Sequence, residues 1–576
     1  MFKSRLFETD LTRSCGVSAC ADFLKWPRAV SAVIVVTCAT ATLLALTISL
    51  HAQQLHGHDV VTDDTGLIVS WLTPQASAYD RLLNLQGIFL LNGVPPDPDS
   101  NLTAYFTQSS LYPGDPPTMS NHQNNPASMH AMLAESLLAY YAYSGDSRYI
   151  DLVTALLDSD LVHGLTPVGW EWDSVPYAAS SAGVIDYDGA EDGYSHVIEP
   201  DKIGQLGYAY LVTYEATGRT PYLYAAIHDA DVLAAHVRVG DQGSSPWPFR
   251  VLAEDGTILE DYTADVIQPI RLLDELIRLN VGNVATYQSA RQAAWDWLMA
   301  VPMQNAVWSN YFEDIPIQPD LSNYNQFIPL ETARYLLQHP ELDIDWLVHV
   351  QGILQWVADQ FDVPQFGAPT IEEQVQFPIP LGSDTGRFAS INAMVFERTA
   401  DPAAKELAYR ALNWATYMAS ADGQVIDGPG DGQIWFTDSY GDLMGHVIAS
   451  MGAVPEWAPP ADTHLLRSSS VVTAIAYSDT EVTYTTFDAT STDVLHLNFT
   501  PTYITVDGQP LAQRSVLDEP GWTFDGNSGT LRMYHVGGYQ IDITGCQGRA
   551  LMNADPTGRG CVHGGAQIGS AKIKTK

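Results

Sequence analysis

The chain has 576 residues, of which 27 are basic and 67 acidic, for a formal net charge of −40. That length and an apolar content of 46% admit two or three domains with a large core, and exclude a disordered or fibrous chain. So acidic a surface repels nucleic acid and anionic lipid headgroups, which are bound largely through Lys and Arg, and it steers away polyanionic glycans.

Residues 29–50 are 22 positions without a charge, preceded by Lys25 and Arg28. They read as an uncleaved signal anchor, with a signal peptide cut after Leu50-His51-Ala52 as the alternative. In either case the two cations hold residues 1–28 in the cytoplasm, so the rest is expected to be extracytoplasmic, anchored through residues 29–52 or secreted. Cys15, Cys20 and Cys38 lie in this leader. Cys546 and Cys561 remain, and an exported chain most simply joins them in a disulfide worth about 3 kcal/mol, closing a tail over residues 546–576. No CxxC pair suggests zinc.

Past a polar linker, Leu72, Tyr79, Leu82, Leu83 and Leu85 mark a helix over Ser70–Asn92, followed by a proline-rich loop. Paired apolar periods then predict helical hairpins. They are Pro126–Ser144 with Ser147–Val162, Glu199–Thr217 with Pro221–Val237, Asp261–Asn280 with Val284–Ala300, Gln326–Gln338 with Asp343–Phe361, and Asp384–Thr399 with Pro402–Ser420. Tyr440–Met451 closes the series and is expected to pair with the helix near Ser70. The turns Ser144-Gly145-Asp146-Ser147-Arg148-Tyr149, Thr217-Gly218-Arg219-Thr220-Pro221-Tyr222 and Thr399-Ala400-Asp401-Pro402 form a weak repeat, the signature of a stacked or closed helical array. Short turns within pairs and long loops between them put function on the elaborated rim.

Six hairpins, TGRTPY-type turns and aromatic-rich loops resemble the (α/α)6 toroid of six-hairpin glycosidases and related polysaccharide lyases, over residues 70–455. These motifs are architectural, and no family's catalytic residues transfer by position. The resemblance implies that inner helices start at a funnel mouth, directly after the long loops. Beyond Trp457 the large apolar residues alternate, as in Asp493–Phe499 and at Tyr539, Ile541 and Ile543, with turn signals at Asp507-Gly508 and Asn527-Ser528-Gly529. The expected organisation is a mainly α toroid over 53–458 and a small antiparallel β-sandwich over 459–545.

The densest chemistry lies between Gly169 and Gly218. Trp170, Glu171, Trp172, Asp173, Asp186, Asp188, Glu191 and Asp192 precede a helix whose first turn holds Glu199 and Asp201. Acids at a helix start also serve simply to offset its dipole, but so many rings and carboxylates together suit a carbohydrate site. Glycoside hydrolysis needs one protonated and one ionised carboxyl across the bond. The eligible acids at inner-helix starts are Glu199, Asp201, Asp261, Asp265, Glu331, Glu372, Glu373, Asp384, Asp438 and Asp442. Glu199 and Asp201 are favoured on one side, with Asp438 or Glu373 opposite. Trp170, Trp172, Trp247, Trp308 and Trp435 are candidate stacking platforms, although loop tryptophans are often core cover.

A lyase would instead remove a proton beside a uronate held by Arg, Asn or His, for which His122, Tyr194, His196, Tyr262 and Arg387 are candidates. Basic residues on the long loops are scarce, Arg250 and Arg387 being the clearest, which favours a neutral glycan and a hydrolase. Asp186, Asp188 and Glu191 have the oxygen density of a calcium loop but not EF-hand spacing; no other cofactor is expected. No phosphate-binding glycine loop, HExxH or Gly-Xaa-Ser-Xaa-Gly occurs. The leading expectation is an extracytoplasmic glycoside hydrolase, with a polysaccharide lyase and a non-catalytic glycan-binding envelope protein as alternatives. The sequence leaves the oligomeric state open.

Overall fold

The computed structural model describes residues 54–97, 103–107, 110–120, 122–318, 321–426, 428–429, 434–435 and 437–547. The expected leader and the tail from residue 548 lie outside the described residues, and with Cys561 so does its pairing with Cys546. The chain divides at Gln54–Leu55, and the second unit carries all that follows. Among the described residues no helix is long and apolar enough to cross a membrane.

Besides one four-residue helical turn at Pro302–Asn305, twelve α-helices lie between residues 78 and 453 among the described residues. They are α1 Ala78–Asn92, α2 Pro126–Ser144, α3 Arg148–His163, α4 Pro200–Thr217, α5 Thr220–His236, α6 Ile267–Leu279, α7 Val284–Ala300, α8 Phe327–Gln338, α9 Trp346–Phe361, α10 Gly382–Thr399, α11 Pro402–Ala415 and α12 Leu443–Ala453. Each even-numbered helix from α2 to α10 packs on the helix that follows it, and α12 packs on α1. The even-numbered helices also touch in turn, α2 to α4 to α6 to α8 to α10 to α12, and α12 returns to α2. The ring therefore closes with six hairpins, the last helix pairing with the first.

Local chemistry accounts for this register. The repeated turns end their helices on a residue in the left-handed region: Gly145 at φ 75°, Gly218 at φ 71° and Ala400 at φ 58°. Pro221 and Pro402 then start the partner helices where a missing N–H costs nothing, and the Asp401 carboxylate accepts from Ala403 N at 2.9 Å. Inner helices are buried on every side, as α4 is from Pro200 to Gly207 and α10 from Gly382 to Ala393. Outer helices such as α7 bury one stripe, Tyr287, Ala290, Arg291, Ala294, Trp295 and Leu298. Glycine lets the inner helices approach: a Cβ on Gly204 would sit 2.5 Å from Pro269 N, and one on Gly445 2.7 Å from Ser136 Oγ.

Two helices start six or more residues later than expected. Ile68–Val69 pairs with Val61–Thr62 in a short hairpin ahead of α1. Before α6, the Tyr262–Ala264 backbone is taken up by a neighbouring loop, through Asn310 Nδ2 to Tyr262 O at 2.7 Å and Ala264 N to Ser309 O at 3.0 Å. The long loops carry two small sheets, β1 Ser110–Tyr112, β2 Thr118–Met119 and β6 Ile434–Trp435 in one, and β3 Val197–Ile198, β4 Arg250–Leu252 and β5 Ile258–Glu260 in the other.

The C-terminal region is antiparallel sheet, built from β7 His464–Ser468, β8 Val472–Tyr477, β9 Glu481–Thr486, β10 Thr490–His496, β11 Phe499–Val506, β12 Gln509–Pro510, β13 Gly521–Asp525, β14 Thr530–Val536 and β15 Gln540–Gln547. Strand order is β7-β10-β14-β13 in one sheet and β8-β9-β15-β11-β12 in the other. Val482, Tyr484, Leu495, Ile504, Leu531, Met533, Ile541 and Ile543, drawn from both sheets, share one buried cluster. Asp507 and Gly508, both at positive φ, make the expected turn into β12, and β15 runs two residues past the expected boundary at 545. This region docks on the C-terminal ends of the inner helices. His464 Nδ1 bonds Tyr143 O at 2.9 Å, Arg467 and Arg532 pair with Glu397, and Arg278 pairs with Asp488.

Candidate functional site

At the start of α4, pairing of Ile198 with Val251 in the rim sheet sets Arg250 beside Glu199. Arg250 Nε lies 3.1 Å from Glu199 Oε1 and 2.8 Å from Glu191 Oε2, while Nη1 lies 3.1 Å from Glu260 Oε2. Its remaining donors reach the carbonyls of Phe312, Glu313 and Ile315. Lys202, one turn on, holds Glu199 Oε2 at 3.2 Å and Asp201 Oδ2 at 2.8 Å and donates to Tyr311 O. All of these charged groups are buried. Burial, reinforced by the neighbouring Glu199 charge and opposed by Lys202, raises Asp201 to about 7. Burial likewise raises Glu313 to about 8 against the pull of Lys202.

A stack of rings carries this cluster across the ring of helices. Lys202 Nζ sits 3.5 Å from the Tyr311 ring centroid, Tyr311 stacks on Phe327 at 3.9 Å, and the Arg387 guanidinium covers Phe327 at 4.3 Å. Arg387 then serves a second acidic set, with Nε 3.1 Å from Glu331 Oε1, Nη1 2.7 Å from Asp384 Oδ1, and Nη2 bonded to Asp442. Burial raises Asp384 to about 7, Arg387 opposing. At Glu331 burial is outweighed by Arg334 and Arg387, so that carboxylate is held below its usual range. Asp442 is lowered too, burial being outweighed by Arg387 and then His446. His446 Nδ1 lies 3.0 Å from Arg334 Nη2 and Nε2 lies 2.7 Å from Asp442 Oδ1. A guanidinium only donates, so Nδ1 accepts and Nε2 carries the proton. Nδ1 is thereby committed, Nε2 lies beside Asp442 without hydrogen-bond geometry, and burial keeps the ring neutral.

Between the two sets stands Asp265, buried at the entry to α6. Among the described residues neither of its carboxyl oxygens has a hydrogen-bond partner. Burial, then repulsion from Asp201, raises it well above the usual range, and Glu331 adds to that repulsion. The environments of Asp265 and Glu331 thus push one carboxyl towards its protonated form and the other towards its anion.

Inside the ring lies a cavity of about 460 Å³. Its wall includes Glu135, Gln205, Tyr208, Gln268, Arg271, Phe327, Glu331, Arg334, Tyr335, Asp442 and His446, and its far side is formed by Leu465–Val472 of the β region. Arg271 Nη2 pairs with Glu135 at 2.5 Å and Arg271 Nη1 bonds Gln268 at 2.9 Å. Three carboxylates, Glu135, Glu331 and Asp442, and three guanidiniums, Arg271, Arg334 and Arg467, line this wall; Arg271 pairs with Glu135 and Arg334 with Glu331, while Arg467 pairs with Glu397 and Asp442 with Arg387.

No family model and no curated protein matches this sequence. Among solved structures the chain is similar to a D-mannose isomerase at 10% identity and TM-score 0.48, covering 65% of this chain and 97% of that one. A cellobiose 2-epimerase from Spirochaeta thermophila gives 12% identity and TM-score 0.46 over 67% and 99%. A family 76 glycoside hydrolase from Bacteroides thetaiotaomicron gives 11% and 0.47 over 65% and 78%. These neighbours are six-hairpin toroid enzymes. Their identity to this chain is too low to transfer chemistry.

The structure brings Glu199 and Asp201 together with Asp265, Glu313 and the Arg250 and Lys202 cations, but ties both favoured acids into buried ion pairs. Glu373 is elsewhere, buried in the loop before α10 with its carboxylate bonded by Gln374 Nε2 at 3.2 Å. The side chains of Asp438 and Trp435 lie outside what the structure describes. Three platform expectations need correction. Trp172 is buried and stacks on His236 at 4.0 Å, Trp247 is buried with Nε1 bonded to Leu233 O at 2.8 Å, and Trp308 is buried, so none offers a face to a sugar. Trp170 is half-buried beside His196 at 4.8 Å. Arg387 is an internal ion-pair hub, and half-buried His122 bonds its neighbour's carbonyl, Gln123 O, at 3.1 Å.

The three acids named as calcium candidates each have protein partners. Asp186 pairs with His163 at 2.6 Å, Asp188 accepts from Ser180, Ser181 and Ala190, and Glu191 pairs with Arg250. Among the described residues no three His, Cys, Asp or Glu side chains are grouped to hold a metal. Glu331, Asp265 and Asp442 were legible as acids at helix starts. Tyr311, Phe327 and Arg334 carried no signal, because only tertiary packing sets them between charged groups.

Proposed function

We propose that the protein is a carbohydrate-processing enzyme that takes a neutral glycan into the central cavity, and that it is a glycoside hydrolase working by paired carboxylates. The carrying observation is the cavity wall. It is dense in hydrogen-bonding groups, balanced three charges against three, and flanked by the rings of Tyr208, Phe327 and Tyr335. A volume of about 460 Å³ falls within the range of small-ligand sites. Glu331 supplies the ionised carboxyl from the wall, and the protonated one is assigned to Asp265, which is buried behind that wall and comes into reach when the bound glycan displaces the side chains covering it; hydrolysis of a glycosidic bond requires this division of labour. A uronate substrate would want surplus cation on the wall, and that surplus is missing.

The test is product analysis on a panel of neutral oligosaccharides. New reducing ends are expected, with Asp265→Asn and Glu331→Gln each lowering kcat by about 100-fold or more while the melting transition of Asp265→Asn is retained. An unsaturated product absorbing in the ultraviolet would replace hydrolysis by elimination, and binding of a glycan without turnover would make the protein a binding module.

A further inference from the structure

The two ends of the cavity differ. At the end where the inner helices start, beneath the elaborated loops, Glu199, Asp201, Lys202, Gln205, Asp265, Gln268, Tyr311, Phe327 and Arg387 are all buried. The Lys202–Tyr311–Phe327–Arg387 stack spans this end, each member within 3.5–4.3 Å of the next, and the cations at its two ends are bonded to carboxylates on α4, α8 and α10 and on the approach to α12. Opening here would strip buried ions of their partners. At the other end, the wall is formed by the last turns of α2 and α8 and by the strand and turn Leu465–Val472, and there Gln338, Arg467 and Ser469 are exposed while Glu135, Arg271 and Val471 are half-buried.

We infer that the cavity takes its ligand from the face covered by the β region, through a mouth lined by Gln338 of α8 and by Arg467–Ser470, rather than from the loop-rich rim. The β region is then part of the binding site. Its run Arg467-Ser468-Ser469-Ser470 places the Glu397-paired guanidinium of Arg467 and the exposed Ser469 hydroxyl at the mouth, with Ser468 half-buried and Ser470 buried behind them, a polar edge that suits a polyhydroxyl chain leaving the cavity. Ser468 and Ser469 share Ser491 Oγ at 3.0 and 3.4 Å, and Ser470 bonds Asp488 at 2.9 Å, so the run is fixed in place rather than loose. The identity of the ligand as a neutral glycan rests on the functional proposal above, whereas the position of the mouth does not.

The test separates the two. Ala139, half-buried on α2, lines the cavity. An Ala139→Cys variant is expected to react with a small methanethiosulfonate reagent, and adding Ser469→Trp or, independently, Gln338→Trp is expected to slow that reaction about tenfold or more, because thiol exchange depends on access. The melting transition shows whether each variant is folded, and Gln338→Trp disturbs no hydrogen bond of the β region. In turnover of a neutral oligosaccharide the same substitutions are expected to raise KM about tenfold with kcat little changed. Unchanged labelling with both tryptophans would overturn the inference. Slowed labelling in a protein that turns over no glycan would leave the mouth where it is placed here and overturn the functional proposal instead.

Discussion

Lys202→Met removes the only cation that binds Asp201 among the described residues, and leaves Glu199 with Arg250 alone. The side chain is of similar length and apolar, so packing against Tyr311 and Phe249 largely survives and the change is electrostatic. Breaking a buried ion pair by deleting one partner costs about 3–5 kcal/mol, because the remaining charge keeps its desolvation penalty. Asp201 moderates this by taking a proton: at about 7 it already sits well above its ordinary value of 3.8, and without Lys202 it rises further. The neutral acid needs no cation. The expected loss is therefore about 3–5 kcal/mol at pH 8 and distinctly less at pH 5, read as the shift in denaturant midpoint at the two pH values. Adding Asp201→Asn should recover part of the loss at pH 8 and little at pH 5. Equal losses at both pH values, or none, would refute the placement of Lys202 between two desolvated carboxylates.

The wild-type protein carries the same signature. Asp201 and Asp384 titrate near 7 and Glu313 near 8 when folded, against 3.8 and 4.5 in the unfolded chain. The folded state therefore holds more protons across this window, and stability is greatest at its acid end and falls as pH rises from about 5 to about 8. Glu331 and Asp442, held low, act only below about pH 4 and leave that window untouched. Melting curves at pH 5 and 8 should show the lower Tm at pH 8, and the reverse order would contradict the burial of these acids. Gly204→Ala places a methyl 2.5 Å from Pro269 N, backbone that cannot yield, and should cost about 1–3 kcal/mol or more in denaturant unfolding; a neutral result would mean that α4 and α6 do not meet there. Trp247→Phe loses the bond to Leu233 O and should destabilise by about 1–2 kcal/mol with kcat/KM unchanged, whereas a selective loss of kcat/KM would restore Trp247 to a sugar-stacking role.

Much of the fold was legible because it is written in local chemistry. Gly145 and Gly218 stop their helices in a conformation that other residues resist, Pro221 and Pro402 restart the chain, and the apolar period of each hairpin spans only a few turns. The closing contact of α12 with α2 and α1 followed from counting hairpins. Helix starts at Ser70 and Asp261 were misplaced because the flanking residues give their backbone hydrogen bonds to distant loops, through Asn310 and Phe366.

The site was legible only as a set of acids. What separates Glu199 from Asp265 is a partner 51 residues away, Arg250, and no local pattern announces it. Glu331 was one of ten eligible acids, and its distinction comes from Arg334 and Arg387, brought together only when α8 meets α10. Burial of Trp172, Trp247 and Trp308 is equally a tertiary fact. The wall formed by Arg467–Ser470 was invisible for a different reason: in sequence it belongs to the β region, and only docking of that region on the helix ends brings it to the cavity.

The central claim is that chemistry takes place inside the ring, at Glu331 and Asp265. Its most direct test is a crystal structure of the Asp265→Asn variant soaked with a neutral oligosaccharide that the wild type cleaves. The glycan is expected within the cavity, with a glycosidic oxygen beside residue 265 and a sugar carbon facing Glu331; a glycan seated instead on the loop rim near Trp170 and Tyr194 would contradict it.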